Sequence, residues 1–213
     1  MQSGRRIAEF LLDIGAVKLS VQPPFTWTSG IQSPIYCDNR MLYSHPEART
    51  FVVQSLADRV RNLHIPADVV AGTATAAIGW AALVADRLQL PFVYVRGKAK
   101  EHGTKKLIEG DLKPEQHVVL LEDLISTATS SVGSVETLRE EGKAVVTDIV
   151  SIFSYGFESA MERAQSASVH LHPLTTFDVL LEVATEHGHI EDEDRASILE
   201  FARDPERWKP RVR

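Results

Sequence analysis

Two adjacent carboxylates and a run of hydroxyl groups follow an apolar segment in the middle of the chain. The apolar residues 118–121 lead into Glu122 and Asp123, and a turn rich in serine and threonine, residues 126–130, precedes a helical pattern. In an open α/β sheet, ligands bind outside the carboxyl ends of the strands, and free N–H groups at a helix N-terminus bind phosphate. Because carboxylates repel phosphate, we expect these two to accept hydrogen bonds from a neighbouring sugar diol. The pattern predicts a ribose 5-phosphate site, and its alternative is an ordinary capped helix beside a solvated acid pair.

A cationic segment separates two of the predicted strands. Residues 96–106 contain an arginine, four lysines and a histidine, with glycines at positions 97 and 103. Long loops without regular structure often act as lids over active sites. The lysines and the histidine are therefore expected to neutralise a polyanionic leaving group, unless the segment is a solvated hairpin with incidental charges.

A third turn, at residues 71–77, consists of glycine, alanine and threonine. Such small residues let a ligand approach the backbone closely, but tight packing between a helix and a strand explains them equally well. The chain contains neither the phosphate-loop motif G-x-x-x-x-G-K-[ST] nor the dinucleotide motif G-x-G-x-x-G.

The elements that must position these groups alternate along the chain. Short apolar runs predict strands, and segments with apolar residues at i, i+3, i+4 and i+7 predict helices. The predicted strands are 69–71, 92–95, 118–121 and 144–153, and the predicted helices are 7–14, 45–63, 76–88, 132–141, 177–187 and 192–202. This alternation is typical of α/β proteins with a parallel-sheet core and helices on both faces. We predict one domain over residues 1–213, made of N-terminal helices and loops (about 1–65), an α/β core (about 66–170) and C-terminal helices (about 171–213).

Composition excludes several classes of protein. The chain has 213 residues and a net charge of −6, which disfavours a nucleic-acid or anionic-membrane binder. Its only cysteine, Cys37, excludes an intrachain disulfide, and no cysteine and histidine spacing indicates a zinc site. No apolar run approaches the roughly 18 residues of a membrane span. We therefore expect a soluble, cytoplasmic protein.

Four segments together resemble a known family. Residues 122–127, with their apolar lead-in, are similar to the phosphoribosyl-pyrophosphate (PRPP) signature of type I phosphoribosyltransferases. Residues 29–40, 71–75 and 94–110 resemble segments of orotate phosphoribosyltransferases, in the same order along the chain.

The resemblance implies a type I phosphoribosyltransferase fold, in which the N-terminal segment forms a hood on the orotate side of the core. It implies transfer of ribose 5-phosphate from PRPP to orotate, giving orotidine 5′-monophosphate and pyrophosphate in pyrimidine biosynthesis. The implied cofactor is Mg²⁺, held mainly through PRPP with no direct protein ligand. The implied assembly is a homodimer with shared active sites, in which the cationic lid reaches the partner's site.

The resemblance also assigns roles to individual residues. Lys100 and His102 are the implied catalytic residues. The residues implied to bind orotate are Ser126, Tyr36 and Cys37. The residues implied to bind PRPP are Arg96, Lys100, His102, Glu122, Asp123, Leu124, Ile125, Ser126, Thr127, Ala128, Thr129 and Ser130.

The chain departs from common family patterns at several positions. Ala77 and Ala128 stand where glycine is usual, Gly97 where lysine is frequent, and Thr28 and Tyr155 where some members carry a cation. Glycine at the first two positions would serve a positive φ or a close ligand approach. Two alternatives therefore stay open: a PRPP-binding regulator, and a phosphoribosyltransferase for another base.

Overall fold

The computed structural model describes residues 2–27, 30–97, 106–205 and 207–210. Its helices are α1 (Gln2–Asp13), α2 (Pro46–Arg61), α3 (Ala77–Leu88), α4 (Thr129–Glu140), α5 (Glu158–Ser166), α6 (Phe177–Glu186) and α7 (Asp192–Arg203), with a 3-10 helix at Asn39–Ser44. Its strands are β1 (Val17–Leu19), β2 (Phe25–Thr26), β3 (Gln32–Ser33), β4 (Ile35–Cys37), β5 (Val69–Thr73), β6 (Phe92–Val95), β7 (Ile108–Glu109), β8 (His117–Ile125), β9 (Val145–Ser154) and β10 (His170–Thr176).

A six-stranded sheet in the order β10-β9-β8-β5-β6-β7 forms the centre of the molecule. All neighbouring strands pair in parallel except β7, which runs antiparallel to β6 at one edge. The predicted α/β class with a parallel core is confirmed. The last strand, β10, carries the sheet to Thr176, so the predicted end of the core at about residue 170 falls at the start of this strand.

Strand β8 extends past its neighbour β5, and this offset creates the edge at which the acid pair lies. Pairing with β5 stops at Leu121, opposite Gly72, whereas pairing with β9 continues to Ile125. The predicted strand 118–121 is therefore too short, because the second partner keeps the backbone extended through Glu122 and Asp123.

Helices cover both faces of the sheet, which is why its strands read as continuous apolar runs. On one face Val70 and Leu121 belong to a core that includes Trp80 and residues of α1, α2 and α6. On the other face Ala71 and Leu120 pack in a second core with residues of α4 and α5. Adjacent residues of one strand thus enter different cores, as the alternation of side chains in a strand requires.

The N-terminal segment, predicted above to consist of helices and loops, also contains two small antiparallel pairs, β1 with β4 and β2 with β3. Its Trp27 ring packs against Tyr155 and Phe201, with ring centroids 5.3 and 5.7 Å apart. These contacts join the N-terminal segment to the end of β9 and to α7. None of the described helices has the length and apolar content to cross a membrane.

Candidate active site

A polar pocket of about 300 Å³ lies at the carboxyl ends of β5 and β8. Two strand-to-helix turns border it: the β5–α3 turn, residues 74–76, and the β8–α4 turn, residues 126–128. The lining residues are Cys37, Asp38, Arg40, Thr73, Ala74, Thr75, Ala76, Glu122, Asp123, Leu124, Ser126 and Ser130. A larger groove, of about 600 Å³, lies beside Phe10 and Phe51, but it has no pair of buried acids. The buried acids, rather than the volume of the cavity, therefore identify the pocket at the sheet edge as the candidate active site.

Glu122 is the one charged residue that is buried among the described residues, with 4% of its surface exposed. It lies near the hydroxyls of Thr73 and Ser131, yet its Oε1 has no hydrogen-bond partner among the described residues. Burial raises the pKa of Glu122 to about 7, and the nearby hydroxyls oppose this shift only in part. Such a buried, unsatisfied acceptor in a pocket suits a ligand hydroxyl.

Asp123 contacts the 3-10 helix through its backbone, whereas Glu122 lies near Ser131 of α4. Burial raises its pKa to about 6, while its own N–H, that of Leu124 and the charge of Arg40 act in the opposite direction. The carbonyl oxygen of Asp123 accepts a hydrogen bond from Nδ2 of the buried Asn39 at 2.6 Å. The two adjacent acids therefore receive their support from different parts of the chain.

The β8–α4 turn has local polar contacts and one long-range tie. The hydroxyls of Thr127 and Thr129 are 3.0 Å apart, and Arg163 of α5 donates a hydrogen bond to the carbonyl oxygen of Thr127. Ala128 adopts a left-handed conformation with φ 58° and ψ 14°. Helix α4 begins at Thr129, three residues before the predicted start, so Ser130 lies in its first turn.

The predicted PRPP residues of this segment fall into three groups. Thr127 and Thr129 are exposed and do not line the pocket. Leu124, Ser126 and Ser130 line the pocket with the two acids. Ile125 and Ala128 have buried side chains in the core formed with α4 and α5, so only their backbone is available to a ligand.

The β5–α3 turn contains only alanine and threonine, and the peptide bond between Ala74 and Thr75 is cis. Gly72, rather than Ala77, makes the close approach between β5 and α3. A Cβ atom on Gly72 would lie 2.8 Å from the Cβ of Ala81 and 2.9 Å from the carbonyl oxygen of Ala77. Ala77 is simply the first residue of α3.

The predicted orotate side is formed by β4 and the residues after it. Cys37 lines the pocket, and its thiol lies 3.3 Å from Oδ1 of Asn39. Burial raises the pKa of the Cys37 thiol well above its usual range. The Tyr36 side chain is exposed and packs against Phe25 with ring centroids 5.9 Å apart, so it does not line the pocket.

Arg40 is a pocket residue that sequence reasoning missed. Its guanidinium forms a two-point ion pair with Asp38, with Nε–Oδ1 and Nη2–Oδ2 distances of 2.6 and 2.8 Å. It is the one cationic side chain among the described residues that line the pocket. Nothing in its local sequence distinguishes it from a solvated surface arginine.

The cationic segment is described only at its two ends. Arg96 follows β6 directly, and its Nη1 donates to Oε1 of Glu109 at 3.2 Å. The predicted catalytic residues Lys100 and His102 lie outside the described residues, as does Thr28. Tyr155 is buried among aromatic rings of the core, including Phe157 at 5.2 Å, and it does not line the pocket.

Comparisons with known proteins first define the class. Residues 39–172 match the phosphoribosyl transferase domain. The chain is 43% identical over 210 residues to the orotate phosphoribosyltransferase of Coxiella burnetii, covering 99% of this chain and 100% of that protein. It is 48% identical over 208 residues to the Listeria innocua orotate phosphoribosyltransferase, with coverages of 98% and 99%.

Solved structures agree with these matches. The crystal structure of orotate phosphoribosyltransferase from Aeropyrum pernix has a TM-score of 0.74 and 31% identity, covering 87% of this chain and 99% of that chain. Leishmania donovani UMP synthase has a TM-score of 0.78 and 26% identity, covering 93% of this chain, which spans 42% of that protein. The chain belongs to the orotate phosphoribosyltransferase family, and the resemblance seen in its sequence is confirmed.

Proposed function

We propose that this protein transfers the ribose 5-phosphate group of PRPP to orotate, giving orotidine 5′-monophosphate and pyrophosphate. The observation that carries the proposal is the pocket in which Glu122 and Asp123 lie between two strand-to-helix turns. In a chain of this family, that arrangement supplies separate places for a phosphate, a diol and a pyrophosphate. The reaction is a step in the biosynthesis of pyrimidine nucleotides.

The two turns and the two acids each bind a different part of PRPP. The hydroxyls and free N–H groups at the start of α4, with Ser126 and Ser130, hold the 5′-phosphate. Glu122 and Asp123 accept hydrogen bonds from the ribose hydroxyls. The N–H groups at the start of α3 and the Arg96 side chain hold the pyrophosphate, together with Lys100 and His102 of the lid. Positioning and charge stabilisation of this kind supply most of the catalysis in transfers that need no covalent intermediate.

The chemical step exchanges one bond for another at the ribose C1. A ring nitrogen of orotate forms a bond to C1 and loses its proton while the bond from C1 to the pyrophosphate oxygen breaks. The electron pair of the broken bond leaves with pyrophosphate, which takes up the proton. Positive charge develops on the sugar during the exchange. The ionised acids near the ribose stabilise this charge, while Arg96, Lys100 and His102 stabilise the departing anion.

Mg²⁺ is the proposed cofactor, and the pocket suits this ion. No cluster of three or more histidine, cysteine, aspartate or glutamate side chains able to hold a metal occurs among the described residues. Mg²⁺ in enzymes is commonly held by substrate phosphates and water, so the ion would be held mainly through PRPP, with no direct protein ligand. When bound, the ion neutralises charge on the pyrophosphate oxygens.

Arg40 is the proposed partner of the orotate carboxylate. Its ion pair with Asp38 uses two of the five N–H donors of the guanidinium and fixes its orientation, leaving the other donors for a ligand. We predict that Arg40→Gln raises the KM for orotate by roughly 10-fold or more, the value of one hydrogen bond between charged groups. The KM for PRPP should stay near the wild-type value. Steady-state kinetics in both substrates measures this, and an equal rise in the two KM values would reject the assignment.

A cytoplasmic homodimer with shared sites is the proposed state of the enzyme. The support is the family resemblance and the cationic segment, which precedes the edge strand β7 in the sequence. The test refolds two inactive variants together, Lys100→Ala and Asp123→Asn. If the lid acts on the partner's site, mixed dimers contain one intact site and activity returns. Mixed dimers without activity would reject the shared site.

Product analysis with orotate, uracil and purine bases tests the function itself. Turnover with orotate alone supports the proposal. Turnover with another base would favour a different phosphoribosyltransferase, and tight PRPP binding without any turnover would favour a regulator. Ala128 and Ala77 are the residues that motivate the last alternative.

A further inference from the structure

The 3-10 helix Asn39–Ser44 carries a tyrosine that contacts the start of α3. The Tyr43 hydroxyl donates a hydrogen bond to the carbonyl oxygen of Ala76 at 2.7 Å and accepts one from the N–H of Trp80 at 3.0 Å. In a regular α-helix, the C=O of residue 76 and the N–H of residue 80 are the pair that bond to each other. The hydroxyl therefore bridges the first backbone pair of α3.

Three further features of the fold accommodate Tyr43 in this position. Its ring stacks on the fully buried Trp80, with ring centroids 4.3 Å apart and an interplanar angle of 19°. Arg49 of α2 donates a hydrogen bond to the Tyr43 carbonyl oxygen at 2.7 Å. Gly79 leaves room for the hydroxyl, because a Cβ atom there would lie 2.7 Å from the Tyr43 Oη.

We propose that Tyr43 is a positioning residue that orients the β5–α3 turn for the pyrophosphate of PRPP. Tyr43 does not line the pocket, whereas Ala76 does, so its effect passes through the backbone. The C=O and N–H of a trans peptide point in opposite directions, so a carbonyl of Ala76 held toward Tyr43 directs the N–H of Ala77 away from Tyr43. The first N–H groups of a helix have no partner within the helix and are free to bind an anion. This inference rests on the proposed PRPP site and not on turnover of orotate.

The same 3-10 helix also contacts the other half of the pocket. Asn39, four residues before Tyr43, donates to the carbonyl oxygen of Asp123. One short element is thus bonded to both neighbouring strands of the site, at β8 and at the turn after β5. The 3-10 helix therefore contacts both the ribose side and the pyrophosphate side of the proposed PRPP site.

Two independent substitutions test the role. Tyr43→Phe keeps the stacking on Trp80 and removes only the bridging hydroxyl, after which Ala76 and Trp80 can bond to each other directly. Gly79→Ala keeps the tyrosine but displaces its hydroxyl and the adjoining ring edge, because an added Cβ would lie 2.7, 2.9 and 3.0 Å from Oη, Cζ and Cε1 of Tyr43. Alanine itself strengthens rather than weakens a helix. We expect each variant to weaken PRPP binding about fivefold, the factor that one ordinary hydrogen bond represents. The double variant should be no weaker than the weaker single variant, because both remove the same contact.

The measurement is calorimetric titration of PRPP in the presence of Mg²⁺, with the KM for orotate and the urea unfolding midpoint recorded for every variant. The matched controls are Tyr94→Phe, whose ring stacks on Phe92 outside the pocket, and Gly133→Ala, a glycine of α4 with no atom within 4 Å of an added Cβ. Both controls should bind PRPP as the wild type does.

Weaker PRPP binding in both test variants, with the KM for orotate and the unfolding midpoint retained, supports the proposal. Unchanged PRPP binding in Tyr43→Phe overturns it and leaves the proposed function intact. A fall in the unfolding midpoint with equal losses for both substrates also overturns it, because that is the result of a purely structural role. A wild-type protein that does not bind PRPP overturns this inference and the proposed function together.

Discussion

The β5–α3 turn and the β8–α4 turn occupy equivalent places at the ends of neighbouring parallel strands, but they are built differently. The β8–α4 turn has hydroxyl groups in its own sequence, and its Thr127 and Thr129 contact each other. Neither helix has a side-chain cap at its start. Each turn has a long-range bond, from Tyr43 to Ala76 in the β5–α3 turn and from Arg163 to Thr127 in the β8–α4 turn. The local sequence marks only the β8–α4 turn, because its hydroxyl residues stand together, whereas residues 74–76 contain a single threonine.

The two alanines at family glycine positions show the same contrast. Ala128 has a positive φ, a conformation in which a Cβ atom is unfavourable. Ala77 begins α3, and Gly72 already provides the close approach on that side. The substitution at position 128 thus has a conformational cost, while the one at position 77 has none.

Removing one acid should have the largest effect and should separate the two turns most clearly. Asp123→Asn is expected to weaken PRPP binding by roughly 10- to 100-fold, since hydrogen bonds to charged groups contribute about 1.5–3 kcal/mol. This loss exceeds the one expected from Tyr43→Phe, because Asp123 on β8 bonds the ribose as a charged group, whereas the Tyr43 hydroxyl is neutral and acts through the backbone. Calorimetric titration checks it.

The control for this comparison is Asp148→Asn. Asp148 lies on β9, where its carboxylate is 2.7 Å from Nε2 of His172, away from the pocket. PRPP affinity that stays unchanged in Asp123→Asn and in Glu122→Gln would remove the ribose assignment from both acids.

Glu122 should destabilise the free protein at neutral pH. Its pKa rises from 4.5 to about 7 on folding, so the folded state binds more protons than the unfolded state between these values. Stability of the wild type should therefore fall as pH rises from about 4.5 to 7. Glu122→Gln should remove the contribution of Glu122 to this dependence of stability on pH. It should also stabilise the protein at pH 8 by about 1–3 kcal/mol, and it should weaken PRPP binding.

Urea unfolding of both proteins at pH 5 and pH 8 measures the effect. Asp123, with its pKa also raised, contributes a slope of the same sign that should remain in the Glu122→Gln variant. A wild-type protein that gains stability from pH 5 to pH 8 would show that the buried acid is not the dominant titrating group.

The smallest expected effects are those of glycine at the two alanine positions, and they have opposite signs. Ala128→Gly should stabilise the protein by about 0.5–1 kcal/mol, because glycine adopts a positive φ without strain. Ala77→Gly should destabilise it by a similar amount, because glycine at a helical position loses more backbone entropy on folding. Urea unfolding of the two variants beside the wild type gives both values. Changes of the same sign would contradict the conformational difference between the turns.

The local sequence pattern predicts best the elements that belong to the central sheet or pack against it. Strand β6 occurs at the predicted residues 92–95, and helices α3 and α6 begin or end within one residue of the prediction. The short strands β1 to β4 and helix α5 were not predicted. Strands of two or three residues have no periodicity of their own, and their partners decide whether they form.

The site residues that were predicted are likewise those with a signal in the local sequence. The acid pair and the hydroxyls after it were found because several chemical groups of one kind stand together in the sequence. Asn39 and Tyr43 were missed as functional candidates, because each contributes through a partner that is distant in the chain, Asp123 or Ala76. Arg40 was missed because its partner Asp38 is local, and only the fold brings the pair to the pocket.

The sequence alone determined the α/β class, the family resemblance and the location of the PRPP signature, since these depend on composition and on runs of adjacent residues. The tertiary structure decided the length of β8, the burial of Glu122 and the bridge from Tyr43 to α3. The reason is physical: apolar periodicity and hydroxyl clusters act over a few neighbouring residues. Desolvation of a carboxyl group and the direction of a backbone donor depend instead on whichever side chains the fold places around them.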